Sequence, residues 1–370
     1  MSLSRRTMLA SALGAAAASA QSPPSSPKLG LIGLGNRPQR HLAGLAELPG
    51  VEISALCDIQ ADRMRAARKG QAANAAMYVD YRELLADSNV QAVTIAAPNY
   101  LHAEMAIAAM EAGKDVLMEK PIGLNYAEGQ RVLEAARRTG RIVAVGMQRH
   151  YASDQRVMRE FVQQGGLGTL WQVVLNEFRG DWNPKTWQWT DPESGEKTPW
   201  RFRRELAGSS LLEFSVHNYG LMQQMIGGAE LQTCAATGGA LHWPERTTED
   251  VINVIAEYGN GVRVAHAYNG FSPGAAWNLT LVGDRGSLQW DRRTATVRLE
   301  GEKPFDLDLK KYETGESDEA ALYRDFFESV RTREPHPLGP EFAIAATKLA
   351  WAAWVSIDHA RFATSADFPA

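Results

Sequence analysis

Leu29 to Leu34, Leu-Gly-Leu-Ile-Gly-Leu, is a short apolar run that leads into the turn Gly33-Leu34-Gly35-Asn36-Arg37-Pro38. A helical pattern, His41-Leu42-Ala43-Gly44-Leu45, follows at once. An apolar run of this length ending in glycine reads as a buried parallel strand. In a strand–turn–helix of this kind the first glycine permits the tight turn. The second lets backbone N–H groups approach a pyrophosphate at the helix N-terminus. Gly33, Gly35, Asn36 and Arg37 are therefore candidate dinucleotide contacts. Pro38 stands where the third glycine of such a fingerprint is expected; it suits a first helical turn, but the helix must then pack on the strand differently. Val51–Leu56 reads as a second strand ending at Cys57-Asp58, and Asp58 lies 23 residues after Gly35. A carboxylate there suits the two ribose hydroxyls of NAD and repels the 2′-phosphate of NADP. A helix N-cap is the alternative for Asp58.

The β/α alternation continues. Ala92–Ala96 reads as a strand before Pro98-Asn99-Tyr100-Leu101-His102, with a helix to about Ala112. Asp115–Met118 is the next strand, running into Glu119-Lys120-Pro121, and a helix from Tyr126 to Arg138 leads to a strand at Arg141–Gly146. In open α/β sheets the ligands sit at the C-terminal strand ends, which places Pro98, Asn99, His102, Glu119 and Lys120 on the expected edge. Pro121 biases Lys120 to extended backbone and admits a cis bond.

After Tyr151 the pattern changes. A helix at about 154–164, a strand at Trp171–Phe178 and a helix near Ser210–Ile226 precede six strands between Leu231 and Leu299. Gly259-Asn260-Gly261 and Gly283-Asp284-Arg285-Gly286 mark tight turns between them. Hairpin-linked strands after βα units imply a separate, mostly antiparallel sheet. The fold expected is thus an N-terminal doubly wound parallel (Rossmann) sheet over 28–150. An α+β domain with an open antiparallel sheet and flanking helices follows over 151–340, and a C-terminal helical segment, 341–370, packs back on the first domain.

Between strand and helix, Phe178–Leu206 holds four of the ten tryptophans, Trp182, Trp187, Trp189 and Trp200, interleaved with charged side chains. Indole platforms beside charged hydrogen-bond partners suit a sugar's C–H faces and hydroxyl edges. Trp187, Trp189, Arg203 and the more distant Arg149 are the candidate substrate contacts; an arm gripping a neighbouring subunit is the alternative for this loop.

Composition excludes several classes. At a formal charge of −4 the 370-residue chain lacks the clustered cations that nucleic acid or an anionic membrane surface requires. No apolar run past the N-terminus approaches the ~20 residues of a membrane span. Cys57 and Cys234 are too few for a disulfide scaffold or a multi-cysteine metal site and read as buried thiols. The histidines show no ligand spacing, so no metal is expected. The first twenty residues read as an address: Arg5-Arg6, an Ala/Gly-rich apolar stretch over 8–18 and Ala18-Ser19-Ala20 stand in the order of a twin-arginine signal. A frayed helix is the alternative. Gln21–Pro27 is a Pro/Ser linker.

Glu213 and His217 are four apart and share one helical face. With them the residues resemble the Gfo/Idh/MocA oxidoreductases. The glycine turn at 33–38, Ala-Pro-Asn-Tyr-Leu-His at 97–102 and Ala-Gly-Lys-Asp-Val-Leu-Met-Glu-Lys-Pro at 112–121 carry the resemblance. It covers Lys28 to Phe368. The chain departs from the family at Glu213 and Gly220, where aspartates are common.

The resemblance implies that Lys120 sits beside the nicotinamide and the reacting hydroxyl, as an ammonium favouring an alkoxide-like transition state. His217 is the implied base, with Glu213 holding its orientation or binding a second hydroxyl; a satisfied core histidine is the alternative. It further implies that the outer face of the second sheet mates with other copies, giving a dimer or tetramer.

The expected activity is that of an exported NAD-dependent oxidoreductase acting on a sugar, glycoside or polyol hydroxyl. Its partners are the twin-arginine machinery and a carbohydrate. Outside the cytoplasm there is no NAD pool, so the cofactor is expected to be held tightly and regenerated in place. Two alternatives stay open: a redox-neutral glycosidase or lyase working through a transient keto-sugar, and a non-catalytic carbohydrate-binding protein.

Overall fold

A computed structural model describes residues 26–180, 189–190, 197–198, 200–272 and 276–369. The expected signal over 1–20 and most of the linker lie outside them.

Six parallel strands form the first sheet: β1 (Leu29–Ile32), β2 (Ile53–Cys57), β3 (Ala76–Tyr78), β4 (Ala92–Ile95), β5 (Asp115–Glu119) and β6 (Val143–Gly146). Their spatial order is β3-β2-β1-β4-β5-β6, the doubly wound Rossmann order. The sequence of β1 is apolar because the strand is buried on both faces, as a central parallel strand must be. The connecting helices are α1 (Asn36–Ala46), α2 (Ala61–Ala67), α3 (Tyr81–Ala86), α4 (His102–Glu111) and α5 (Tyr126–Thr139). Capping shows how locally these are specified. Asn125 accepts the Glu128 N–H at 2.9 Å, and α5 ends on Gly140 in the left-handed conformation.

The strand order reverses between β1 and β4, and Gly33 sits at that switch point with φ +85°. A Cβ there would lie 2.6 Å from the Ala96 carbonyl oxygen, so both its dihedral and its neighbour demand glycine.

The second sheet has nine strands. β7 (Leu170–Phe178) lies at its middle, and the hairpin β8 (Trp189–Thr190) and β9 (Lys197–Thr198) stands apart from it. After α6 (Ser153–Gln163), α7 (Arg204–Ala207), α8 (Ser210–Phe214) and α9 (Val216–Met225) come β10 (Leu231–Gly239), β11 (Val251–Tyr258), β12 (Arg263–Asn269), β13 (Trp277–Gly283), β14 (Gly286–Trp290), β15 (Ala295–Leu299) and β16 (Phe305–Asp306). Then follow α10 (Asp318–Thr332), α11 (Pro340–His359) and the edge strand β17 (Ala363–Thr364). Only β7 and β12 pair parallel; every other pairing in this sheet is antiparallel.

Helix α11 lies between the two sheets' helices, against α5 and β6 on one side and α9 and β10 on the other. Its Trp351 meets Tyr126 of α5 edge-on at 5.9 Å. Helix α10 packs on α1 so closely that a Cβ on Gly44 would lie 2.6 Å from the Glu319 Cβ. No described helix is long and apolar enough to cross a membrane.

Two local expectations need correction. The continuous helix over 210–226 is two helices, α8 and α9, broken at Ser215. There the serine hydroxyl donates to the buried Glu177 carboxylate at 2.8 Å, which ties the junction to β7. Strand β3 was not foreseen. It is three residues long and carries the 40% exposed Met77, so it has no periodic signal.

Candidate active site

The C-terminal ends of β1, β2, β4 and β5 open on one cleft of about 830 Å³, roofed by α8 and by the turn Trp200–Phe202. Its volume lies within the range of small-molecule sites, roughly 300–1,000 Å³. Gly33, Gly35, Asn36, Arg37, Asp58, Pro98, Asn99, His102, Glu119, Lys120 and Glu213 all line it. Trp200 and Arg201 line it from the second half of the chain.

At one end the glycine turn makes the cradle. Helix α1 begins at Gly35 with no side-chain cap. The first-turn N–H groups are therefore left to a ligand or to water. A Cβ on Gly35 would meet nothing nearer than the Arg63 Nη1 at 3.8 Å, so the backbone faces open space. This fits a pyrophosphate. Asp58 is 5% exposed; its Oδ2 accepts the Leu34 N–H at 2.7 Å, and its Oδ1 accepts the Gln60 N–H at 2.8 Å. Asp58 thus braces the glycine turn against β2. It does not cap α2, whose N-cap is Gln60. Ile59 and Val79 line the cleft while being 47% and 58% exposed, apolar walls of the kind a flat base stacks against. No spacing marked them in the sequence.

The middle of the cleft is wired to the core. Glu119 accepts from Arg37 Nε at 2.5 Å and pairs with His41 Nε2 at 3.0 Å. The other His41 nitrogen is 3.1 Å from the Tyr323 hydroxyl, which lies 2.9 Å from Thr94 Oγ1. Burial alone would raise the Glu119 carboxyl, but the Arg37 guanidinium and His41 hold it well below the usual range. Arg37 also reaches Glu319 at 2.9 Å, and its Nη2 is buried without a partner. The two ring nitrogens of His102 lie 2.9 Å from the Pro121 and Ala97 carbonyls. A neutral ring carries one N–H, so His102 ties one of these loops by a hydrogen bond and packs its other nitrogen against the second.

At the far end, the Lys120 Nζ donates to the Glu213 main-chain carbonyl at 2.6 Å and lies 3.5 Å from Glu213 Oε1. Glu213 also accepts from Asn99 Nδ2 at 2.9 Å and from Arg201 Nη1. Burial first, and then the Arg201 charge, pushes the Lys120 ammonium down to about 7. Burial, followed by the Lys120 charge, pushes His217 down to about 3. His217 Nδ1 is buried and unpartnered, and the residue is not part of the cleft lining.

Burial therefore favours the neutral form of the His217 ring near neutrality, and it weakens the hold of Lys120 on its proton. Glu213 does not orient His217: among the described residues its carboxylate is spent on Asn99, Arg201 and Lys120.

The substrate contacts expected from sequence fare differently. Arg149 donates to both Asp154 oxygens at 2.8 and 2.7 Å, and Arg203 donates to Glu205 at 2.5 Å; neither lines the cleft. Trp187 and the side chain of Trp189 lie outside the described residues. Arg201 takes the place expected of Arg203, because the turn Trp200–Phe202 aims residue 201 inward and leaves 203 at the surface. Among the described residues no group of three His, Cys, Asp or Glu side chains is arranged to hold a metal, and Cys57 and Cys234 are buried free thiols.

Residues 28–147 match the model of an oxidoreductase family with an NAD-binding Rossmann fold, and residues 155–289 match the GFO/IDH/MocA C-terminal domain. The inositol 2-dehydrogenase of Salmonella paratyphi B is 39% identical over 143 residues. That match takes in 38% of this chain and only 43% of the relative's length. An uncharacterised oxidoreductase of Bacillus subtilis is 26% identical over 345 residues, covering 89% of this chain and 93% of its own. The solved structure of an aldose-aldose oxidoreductase from Caulobacter crescentus superposes with a TM-score of 0.79 at 18% identity, covering 92% of this chain and 99% of that one.

Proposed function

The chain belongs to the Gfo/Idh/MocA oxidoreductase family, and on that premise we propose that it is an exported NAD-dependent oxidoreductase. It would move hydride between a sugar, glycoside or polyol hydroxyl and a tightly held nicotinamide cofactor. The observation that carries the reading is Lys120. It is a nearly buried amine poised at about 7, at a strand end that opens on the same cleft as an uncapped glycine turn.

NAD, when bound, supplies the hydride acceptor. The open backbone at Gly35 and the first turn of α1 would hold its pyrophosphate, and Asp58 would face its ribose. The chain's own work is with the proton. For a carbinol to become a carbonyl, its C–H bond must break with the electron pair leaving as hydride, and its O–H proton must go elsewhere. Neutral Lys120 accepts that proton, and the ammonium so formed returns it when the reaction reverses. The carboxylate of Glu213 and the Glu213 carbonyl hold the amine in place. His217 stays neutral near pH 7, behind the lining of the cleft.

The sugar or polyol class is supported by the relatives, which include an inositol dehydrogenase and an aldose-aldose oxidoreductase. Export is supported by the arginine pair and apolar stretch before Ala20. A second copy is the natural partner for the open face of the second sheet, where Trp171 and Ile255 are 50% and 60% exposed; sedimentation of the purified protein tests this. For the activity, purified protein is analysed by mass spectrometry for retained NAD(H). It is then titrated with myo-inositol, D-glucose and D-fructose while nicotinamide absorbance is followed. Retained cofactor and a sugar-dependent absorbance change support the reading; neither appearing, with or without added NAD, overturns it.

A further inference from the structure

Glu213 faces two cations with one carboxylate. Its Oε1 receives Arg201 Nη1 and lies 3.5 Å from Lys120 Nζ, and its Oε2 is taken by Asn99. The guanidinium is the better seated of the two cations. It makes the direct contact and lies over the Trp200 ring, 4.4 Å from its centroid. Burial lowers its pKa only to about 10, so it keeps its charge across the neutral range.

We propose that Arg201 is a positioning residue for proton transfer. By occupying Glu213 it leaves Lys120 without a full counter-charge, so that the amine gives up and regains a proton in the enzyme's working range. The inference rests on Lys120 as the proton carrier.

The other groups that face Lys120 leave this pair as the adjustable one. From β5, Glu119 is the adjacent carboxylate, but it is committed to Arg37 of α1 and to His41. Arg179, beyond the end of β7, is paired with the fully buried Glu177 at 3.0 Å. From α4 and α9, His102 and His217 are held neutral by burial. Arg201 against Glu213 is thus where one substitution changes the charge that Lys120 feels. Both are placed by the second half of the chain, so the other domain adds its charges to the burial that lowers the proton affinity of this Rossmann-edge lysine.

The test reads Lys120 directly and needs no substrate. The purified protein is labelled briefly with acetic anhydride between pH 5 and 10, and the Lys120 peptide is quantified by mass spectrometry; only the neutral amine reacts. Wild type is expected to reach half-maximal labelling near pH 7, and Arg201→Met to move that midpoint up by about one pH unit. Arg201→Lys, which keeps the charge, is expected to restore it. Arg201→Gln serves if the methionine variant does not fold. In parallel, the acid limb of kcat/KM is followed with whichever of myo-inositol, D-glucose and D-fructose is turned over fastest, and is expected to move by the same amount. An unchanged labelling midpoint in folded Arg201→Met or Arg201→Gln overturns the proposal. A labelling midpoint that moves while the rate limb stays put sinks Lys120 as proton carrier instead, and with it the catalytic consequence of Arg201.

Discussion

The Lys120 ammonium is anchored 2.6 Å from the main-chain carbonyl of Glu213, a residue 93 positions away in the chain. This contact joins the C-terminal edge of the parallel sheet to the helix that roofs the cleft, and it uses backbone, while the Glu213 carboxylate serves Asn99 and Arg201 as well as Lys120.

Because Lys120 is held down at about 7, it is protonated below that pH and neutral above it. Alcohol oxidation needs the neutral amine, so its kcat/KM should rise with pH and level off above about 7. Carbonyl reduction needs the ammonium and should fall over the same range. Steady-state rates in both directions check the sign. An inflection at the same pH in Lys120→Met would refute it.

Lys120→Met should lower kcat by about 10²–10⁴-fold, the usual worth of a positioned proton carrier. NADH binding, read by quenching of tryptophan fluorescence, should change little, because the glycine cradle is untouched.

Glu213→Ala removes the carboxylate shared by Arg201, Lys120 and Asn99 and leaves two cations facing each other. Breaking such a buried arrangement costs about 3 kcal/mol. Urea unfolding should show a lowered midpoint with the slope unchanged.

Gly33→Ala places a Cβ 2.6 Å from the Ala96 carbonyl oxygen at φ +85°. A loss of roughly 2 kcal/mol of stability is expected from the backbone conformation alone. NADH binding should weaken with it, since the turn that presents the first-turn amides of α1 must shift; calorimetry of both properties decides.

Asp58→Ser should narrow the preference for NAD over NADP by about tenfold, because it removes the charge that repels a 2′-phosphate. It should also lower the melting temperature, since Asp58 braces Leu34 and Gln60. A variant that loses stability but keeps its cofactor preference would show that Asp58 serves the turn and not the ribose.

The parallel half of the fold was readable because each of its signals is local. Four consecutive apolar residues before Gly33 are enough to specify a strand buried on both faces, and the two glycines specify the turn that follows. Asp58 and Lys120 could be placed for the same reason: each stands immediately after, or one residue beyond, a strand end. Strand β3 escaped because three residues cannot display a period. Arg201 escaped because 201, 203 and 204 are chemically alike in sequence, and only the turn Trp200–Phe202 separates the one that enters the cleft from Arg203 at the surface and from Arg204, which pairs with Glu249 and Asp358.

Residue order alone determined the Gly33 turn, the acid that follows β2 and the lysine that follows β5, since strand ends and tight turns are written within a few neighbouring residues. Tertiary structure decided what those groups do. Glu213 pairs with Arg201, Asn99 and Lys120 rather than with His217, and burial lowers the proton affinity of Lys120. The reason is physical: proton affinity depends on burial and on charges brought together from distant parts of the chain, and neither is a property of any short stretch of sequence.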